Sequence, residues 1–345
     1  MKKRIFLIAI LAMLVALPAL AGTTTGQNAG SGIMLSLGIG AVGLVLNAST
    51  LIALQKSFKA IFQEAVEAIQ PAWTQVAMEA PSDTAEENYQ WLGDVPAIRE
   101  WLGDKVIKEL KGFQYTLRNK DWESTIGVDR NNIEDDQLGL YRPRIQQLAD
   151  EGMRHPDELV STVRVAGTSA ACYDGSYFYL ATHSMGKSGT LSNLLGGTGH
   201  TLTTVAVDFI TARAALRKFK TDTGRPFIRR AGKLDLKVTC PPDLEGVFEA
   251  LATSTMIGTS DNTLKGAFTY IVDPYLTDPT DWYLDYVGSP VKPFVVQMRK
   301  RPQFVGMDDP TAEKVFMQKK FLYSVEARYN VGYGLWQYSI KTTNT

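Results

Sequence analysis

"NNIEDDQLGLYRPRIQQLADEGMRHPDELV" spans Asn131 to Val160 and sets Glu134, Asp135 and Asp136 side by side, with Asp129 just upstream. A helical stripe of Ile145, Leu148, Ala149 and Met153 follows, and His155-Pro156 interrupts it. Two readings compete for the carboxylates: a metal or acid/base site, or a solvated turn between two pieces of architecture. Asp129, Asn131 and Asp135 fit loop positions 1, 3 and 7 of a calcium loop, but Glu134 and Leu140 stand where that loop needs Gly and Glu. Adjacent Asp135 and Asp136 also point in different directions on a helix or a strand, which argues against a paired-carboxylate site. The pattern favours the solvated turn. Pro156 reads as the first residue of a second helix, with Asp157 and Glu158 in its first turn, where carboxylates suit the helix dipole.

Upstream, Leu51, Leu54, Phe58, Ile61, Phe62, Ala65 and Ile69 recur at three and four residues, which predicts a helix with one apolar face. Residues 71–103 carry Trp73, Trp91 and Trp101 among Pro and Gly and read as irregular. From Asp104 to Arg130 two alternating runs follow, Phe113, Tyr115, Leu117 and then Trp122, Ser124, Ile126, Val128, which predict an extended hairpin. No sequence-adjacent element is available to cover it, so it needs a partner surface. Downstream, Thr168 to His200 reads as loop and Val205 to Phe219 as helix. Strand-like runs at Leu234–Cys240, Ala267–Val272, Phe294–Met298, Phe321–Ala327 and Leu335–Ile340 follow, with one more helix near Asp243–Ala252. The class is α+β.

Composition excludes several functions. Lys+Arg and Asp+Glu both count 36 in 345 residues, so no field of one sign draws the chain to nucleic acid or a membrane surface. Cys172 and Cys240 make no disulfide framework, and no CxxC or HExxH spacing supports zinc. The start, "MKKRIFLIAILAMLVALPALAG", has the layout of a secretory signal peptide cleaved before Gly22. A second apolar stretch, Ile33 to Leu54, is long enough to span a bilayer but carries Asn47, Ser49 and Thr50 and runs into the amphipathic helix.

Motifs for chemistry fall short. Gly186-Lys187-Ser188 ends like a phosphate loop, but Ala181 replaces its first glycine. Gly38, Gly40 and Gly43 match the dinucleotide fingerprint inside the apolar leader with no βαβ unit around them. Cys172 with His183 is only a pair of residue types, and no GxSxG is present. The clusters Arg217-Lys218-Lys220, Arg229-Arg230 and Arg299-Lys300-Arg301 read as mostly solvated faces. The expectation is no catalytic residue, no cofactor and no metal.

The words "NASTLIALQKSFKAIFQEA", "WLGDVPAIREWLGDKVIKEL", "YTLRNKDWESTIGVDRNNIEDDQLGLY", "HPDELV", "CYDGSYFY" and "VEARYNVGYGLWQ" stand in an order and spacing that resembles the major head subunits of phage Mu and Mu-like prophages. The resemblance runs from about Leu46 to the C-terminus and is strongest over Trp91–His183. It implies the Hong Kong 97-type tailed-phage capsid fold. On that pattern residues 46–81 are an N-terminal arm and 104–130 an extended loop reaching a neighbouring subunit. Residues 131–202 are a peripheral domain with spine helices, 203–302 an axial domain, and 303–345 a return to the peripheral domain.

Tyr115, Leu117, Trp122, Ile126 and Val128 of the loop, and Leu51, Phe58 and Phe62 of the arm, are then candidate intersubunit contacts. The implied partners are further copies of the chain, as pentamers and hexamers of an icosahedral shell around double-stranded DNA. Scaffold, protease and portal proteins are further candidates; the DNA meets only non-specific lumen contacts, and no specific membrane partner is expected. The implied location is the virion, assembled in the host cytoplasm, which leaves both cysteines as free thiols. Residues 1–45 have no counterpart in the pattern and read as a start-site overextension, with Met34 as a candidate start, or a processed N-terminal extension. The alternative is an exported or membrane-attached protein with a capsid-derived fold. A third reading, a hydrolase or nucleotide-binding enzyme using Lys187 and the Gly-rich loop, rests on the incomplete phosphate loop.

Overall fold

The computed structural model describes residues 48–89, 115–134, 137–257, 259–307 and 317–344. The leader, Trp91, Trp101, Phe113, Asp135 and Asp136 lie outside them. Two sheets organise the described chain. The first has the strand order Ala77–Pro81, Phe294–Met307, Lys320–Tyr333, Lys120–Asp129. Its first pair is parallel and the other two are antiparallel. Phe321, Tyr323, Val325, Ala327, Tyr329 and Val331 alternate with less buried residues along the third strand, so one face is committed to a core.

The helices Ala48–Ala68 and Arg142–Ala166 supply the other side of that core. The apolar face expected for the first helix is present: Leu51, Leu54, Phe58 and Phe62 are buried. Phe58 meets Tyr323 edge-on with ring centres 5.1 Å apart, and Phe62 lies 5.5 Å from Phe304. Burying each of these phenylalanines contributes about 2–3 kcal/mol by area.

Arg142–Ala166 is one helix of 25 residues, with Pro156 inside it and buried. This corrects the expected break at His155-Pro156. A proline in a helix interior forfeits one backbone hydrogen bond and crowds the carbonyl four residues back. Here that residue is Gly152, which also touches the sheet: a Cβ there would lie 3.0 Å from Val325 and 3.3 Å from Pro302. Burial of Ile145, Leu148, Ala149 and Val160 against the sheet offsets the lost bond.

The second sheet runs Thr269–Val272, Leu236–Cys240, Trp282–Tyr286, Ser339–Thr343, Leu194–Gly196. The helices Leu202–Lys218 and Glu245–Thr253 pack against it. Val205, Phe209, Ala212 and Leu216 form the buried stripe of the first, and Thr201 caps its start by accepting from the Thr204 amide. Both sheets share one apolar core: Phe178 stacks on Tyr333 at 4.6 Å and lies 5.3 Å from Phe294.

Three boundaries differ from the sequence reading. The last strand, Ser339–Thr343, lies inside the second sheet rather than returning to the first. The strand Leu194–Gly196 belongs there as well, although the resemblance implies a place for residues 131–202 in the other lobe. Phe294–Met307 is a strand of the first sheet from its first residue, which ends the second lobe before residue 302.

The expected hairpin over residues 104–130 is also corrected. Residues 104–114 lie outside the described residues, and among the described ones the two alternating runs do not pair with each other. Thr116–Arg118 pairs with Glu86–Asn88, and Lys120–Asp129 pairs with Lys320–Tyr329. Asn119 between them is buried, with its amide donating to Ser82 Oγ at 2.8 Å and to the Thr84 carbonyl at 2.9 Å.

Candidate assembly surfaces

Among the described residues, the first sheet has two long stretches of open strand edge. Among the described residues, Lys120–Asp129 is bonded on one side only, by Lys320–Tyr329. The strand Ala77–Pro81 covers Phe294–Met298, and no described strand covers Arg299–Met307 on that side. A ten-residue open edge presents a row of N–H and C=O groups to any chain that can lie beside it. Its outward side chains, Asp121, Glu123 and Thr125, are polar and exposed. Val305, Met307 and Met317 are exposed beside residues 308–316, with Met317 73% accessible.

A second built feature is the neck formed by Glu86–Asn88 and Thr116–Arg118, which brackets residues 90–114. Gln297, fully buried, fixes it to the first sheet. It donates to the Leu117 carbonyl at 3.1 Å and to Asn119 Oδ1 at 2.9 Å, and accepts from Tyr89 Oη at 2.9 Å. Tyr115 Oη accepts from the Tyr333 amide at 2.9 Å, and burial pushes its hydroxyl up to about 12.

Most of the residues expected to meet a neighbour are covered within the subunit. Leu51, Phe58, Phe62, Leu117 and Val128 are at most 7% accessible. For these five the expectation is corrected, because helix Arg142–Ala166 and the first sheet already cover the arm helix, and Leu117 and Val128 face the chain's own core. Tyr115, Trp122 and Ile126 are half-buried. Trp122 lies over His155 with ring centres 4.4 Å apart, and its Nε1 donates to the Tyr329 carbonyl at 3.0 Å. Ile126 packs at the margin of the arm-helix core.

The structure brings Cys172 and His183 together around Asp174. The Cys172 thiol donates to Asp174 Oδ1 at 3.2 Å, while Oδ2 lies 3.4 Å from His183 Nδ1 and accepts from Trp336 Nε1 at 3.1 Å. His183 is fully buried and stacks on Trp336 at 3.8 Å. Burial raises the Cys172 thiol well above its ordinary value, and the Asp174 charge adds to this, so the sulfur is held protonated and unreactive. Burial also works against the Asp174 carboxylate, but the adjacent His183 ring and hydrogen bonds from Ser176 and Cys172 outweigh it and lower its pKa.

The amides around Lys187 are spent as well. Lys187 N donates to the Asp222 carbonyl at 3.0 Å and Ser188 N to the Met185 carbonyl at 2.9 Å, which leaves no cradle for a phosphate at this turn. At the acidic turn, Asp129 Oδ1 accepts from Asn131 N at 2.9 Å, and Arg130–Glu134 forms a short helix that buries Ile133. No group of metal-ligating side chains occurs among the described residues. No helix among them is long and apolar enough to cross a membrane.

Sequence reasoning missed Gln297 and the buried Arg164–Asp285 pair. Asp285 carried the one available signal, an acid inside the apolar run "WYLDY".

Comparison with known proteins agrees with this architecture. A family model described as the Mu-like prophage major head subunit gpT matches residues 51–208 and 277–345. The Mu-like prophage FluMu major head subunit of Haemophilus influenzae is 29% identical over 285 residues, covering 83% of this chain and 70% of the relative. The major capsid protein of Escherichia phage Mu is 24% identical over 297 residues, covering 86% and 74%. Among solved structures, the procapsid of bacteriophage JBD30 aligns with a TM-score of 0.57 at 29% identity, over 87% of this chain and 77% of that one. A virus-like particle from Pyrococcus furiosus aligns at 0.50 with 9% identity, over 84% and 98%, and shares the fold alone. The fold is the α+β capsid fold of the Hong Kong 97 type, and the chain belongs to the Mu-like prophage major head subunit family.

Proposed function

We propose that this major capsid subunit closes with copies of itself into an icosahedral shell around double-stranded DNA, using the open edge of Lys120–Asp129 as a principal contact. The family match supports the shell role. The contact rests on one observation: among the described residues this ten-residue strand, longer than the other edge strands, is paired on one side only. A neighbour's backbone laid along that edge gains main-chain hydrogen bonds without disturbing the buried face. The half-buried faces of Tyr115, Trp122 and Ile126 then contribute at the margin of the contact rather than at its centre.

In this reading the first sheet with the helix Arg142–Ala166 is the peripheral domain, and the second sheet with its two helices is the axial domain. Pentamers and hexamers are the closed units, since a contact between unlike surfaces forms rings when its rotation closes. The role is structural and not catalytic, in keeping with a protonated Cys172 and a spent loop at Lys187. Assembly takes place in the host cytoplasm, where two buried free thiols are stable. Scaffold, protease and portal proteins are its further partners, and DNA meets the lumen without sequence preference.

Proline substitution tests the edge. Along an antiparallel strand alternate amides face the partner, so one of Ser124 and Thr125 donates into the sheet and the other faces outward. Ser124→Pro and Thr125→Pro are compared for melting temperature and for particles in sedimentation velocity. The variant that keeps the near-normal melting temperature should form no particles. Normal particles from that variant overturn the edge contact.

A further inference from the structure

The helix Leu202–Lys218, the segment Lys233–Leu236 and the turn Thr263–Ala267 enclose a cavity of about 610 Å³. Its charged lining is entirely cationic. Arg213 and Arg217 lie one turn apart on the helix, Lys233 precedes the strand, and Lys265 comes from the turn. No carboxylate lines it, and Asp235 beside it in sequence is paired with Arg230. Among the described residues none of the four cations forms an ion pair.

The four are nonetheless held in place. Arg217 donates to the Gly232 carbonyl and Lys233 to the Gly266 carbonyl, while Lys265 Nζ donates to Thr255 Oγ1 at 2.9 Å. Gly232 and Gly266 sit at φ +84° and +64°, a left-handed backbone that favours glycine. The Arg213 guanidinium lies 5.7 Å from the Phe209 ring centre. Neutral contacts of this kind position the charged heads without neutralising them. A guanidinium has five N–H donors and an ammonium three, so most remain available to a ligand.

We propose that this cavity binds phosphate groups, either those of a nucleic-acid backbone or those of a small polyphosphate. Four cations converging on one concave site, with no acid among them, create a local positive potential on a chain of zero net charge. Two arginines and two lysines supply more donors and charge than a single carboxylate can use, whereas a multi-oxygen phosphate takes both forked and point contacts. The whole lining falls within residues 209–276, between the two blocks that match the family model, and the site stands independently of the shell reading.

The test uses the full-length chain at low salt. Tripolyphosphate is titrated by calorimetry, and a fluorescein-labelled oligothymidylate by anisotropy. Arg213→Ala combined with Arg217→Ala should weaken binding by about tenfold or more, as the loss of two charge-assisted contacts implies. Lys265→Glu, on an exposed residue of another wall, should weaken it at least as much while leaving the circular dichroism unchanged. Lys220→Ala with Arg229→Ala removes the same charge outside the cavity and should change it by less than about twofold, since those charges are solvent-screened. Oligonucleotide binding that tripolyphosphate displaces identifies the backbone as a ligand; tripolyphosphate binding alone identifies a small anion. The proposal is overturned if neither probe binds, if the cavity variants bind normally, or if the control pair loses as much affinity as they do.

Discussion

Arg164 Nη2 lies 2.7 Å from Asp285 Oδ2, and both side chains are sealed from water. Asp285 Oδ1 accepts from Ser339 Oγ at 2.6 Å, and Tyr179 Oη shares a 2.8 Å hydrogen bond with that hydroxyl. The guanidinium also lies 4.6 Å from the Phe294 ring centre and 5.0 Å from that of Tyr283. This one contact ties the long helix and first sheet to the centre of the second sheet. Burial works against the charge of Arg164, but the Asp285 carboxylate outweighs it and holds the guanidinium charged.

Removing one partner strands the other charge. Asp285→Asn or Arg164→Met should destabilise the subunit by about 3–5 kcal/mol, whereas the double variant should cost less than the two singly summed. Urea unfolding of the four proteins measures this, and strict additivity contradicts it.

His155 gives a pH dependence. Burial lowers its pKa, and the Glu158 and Glu151 carboxylates offset this only in part, while Nδ1 lies 2.7 Å from Tyr329 Oη. Because the folded value is depressed, the unfolded chain binds the proton more readily. Stability is therefore complete above the ordinary histidine value of about 6.5 and is lost as pH falls through it toward the folded value. His155→Gln should flatten the decline in unfolding free energy from about pH 7 to about pH 5. An unchanged slope assigns the decline to other groups.

Trp122 belongs to the fold as much as to any contact. Trp122→Ala removes the ring lying over His155 and Tyr329 and should cost the subunit about 2–4 kcal/mol. Chemical denaturation checks it; a loss below about 0.5 kcal/mol, the range of ordinary surface substitutions, means that the ring is not packed as described.

The two cysteines should be silent in the native subunit. Both are buried and unpaired, and burial pushes Cys240 up to about 12 and Cys172 higher still. Iodoacetamide at neutral pH should label neither until the chain is denatured without reductant, when both should react. Failure to react after denaturation indicates an oxidised pair.

What could be read from the sequence depended on local periodicity. The arm helix was legible because Leu51, Leu54, Phe58 and Phe62 repeat on one face. Trp282–Tyr286 was missed because a central strand buried on both faces shows no alternation. Ala77–Pro81 was missed because its pairing partner lies more than two hundred residues away. The hairpin was misassigned for the same reason: Trp122, Ile126 and Val128 alternate correctly, but their partner strand is Lys320–Tyr333. Pro156 misled because the burial that offsets its lost hydrogen bond exists only once the helix is seated on the sheet, where Gly152 lets it approach Pro302 and Val325. The cationic cavity escaped notice because Arg213, Lys233 and Lys265 come from separate elements.

Cryo-electron microscopy of particles from cells expressing the full chain tests the central claim most directly. The expected result is closed shells in which a neighbouring subunit's backbone runs beside Lys120–Asp129 at the strand spacing of about 4.8 Å. Monomers alone, or shells in which that edge faces solvent at every position, would contradict the account.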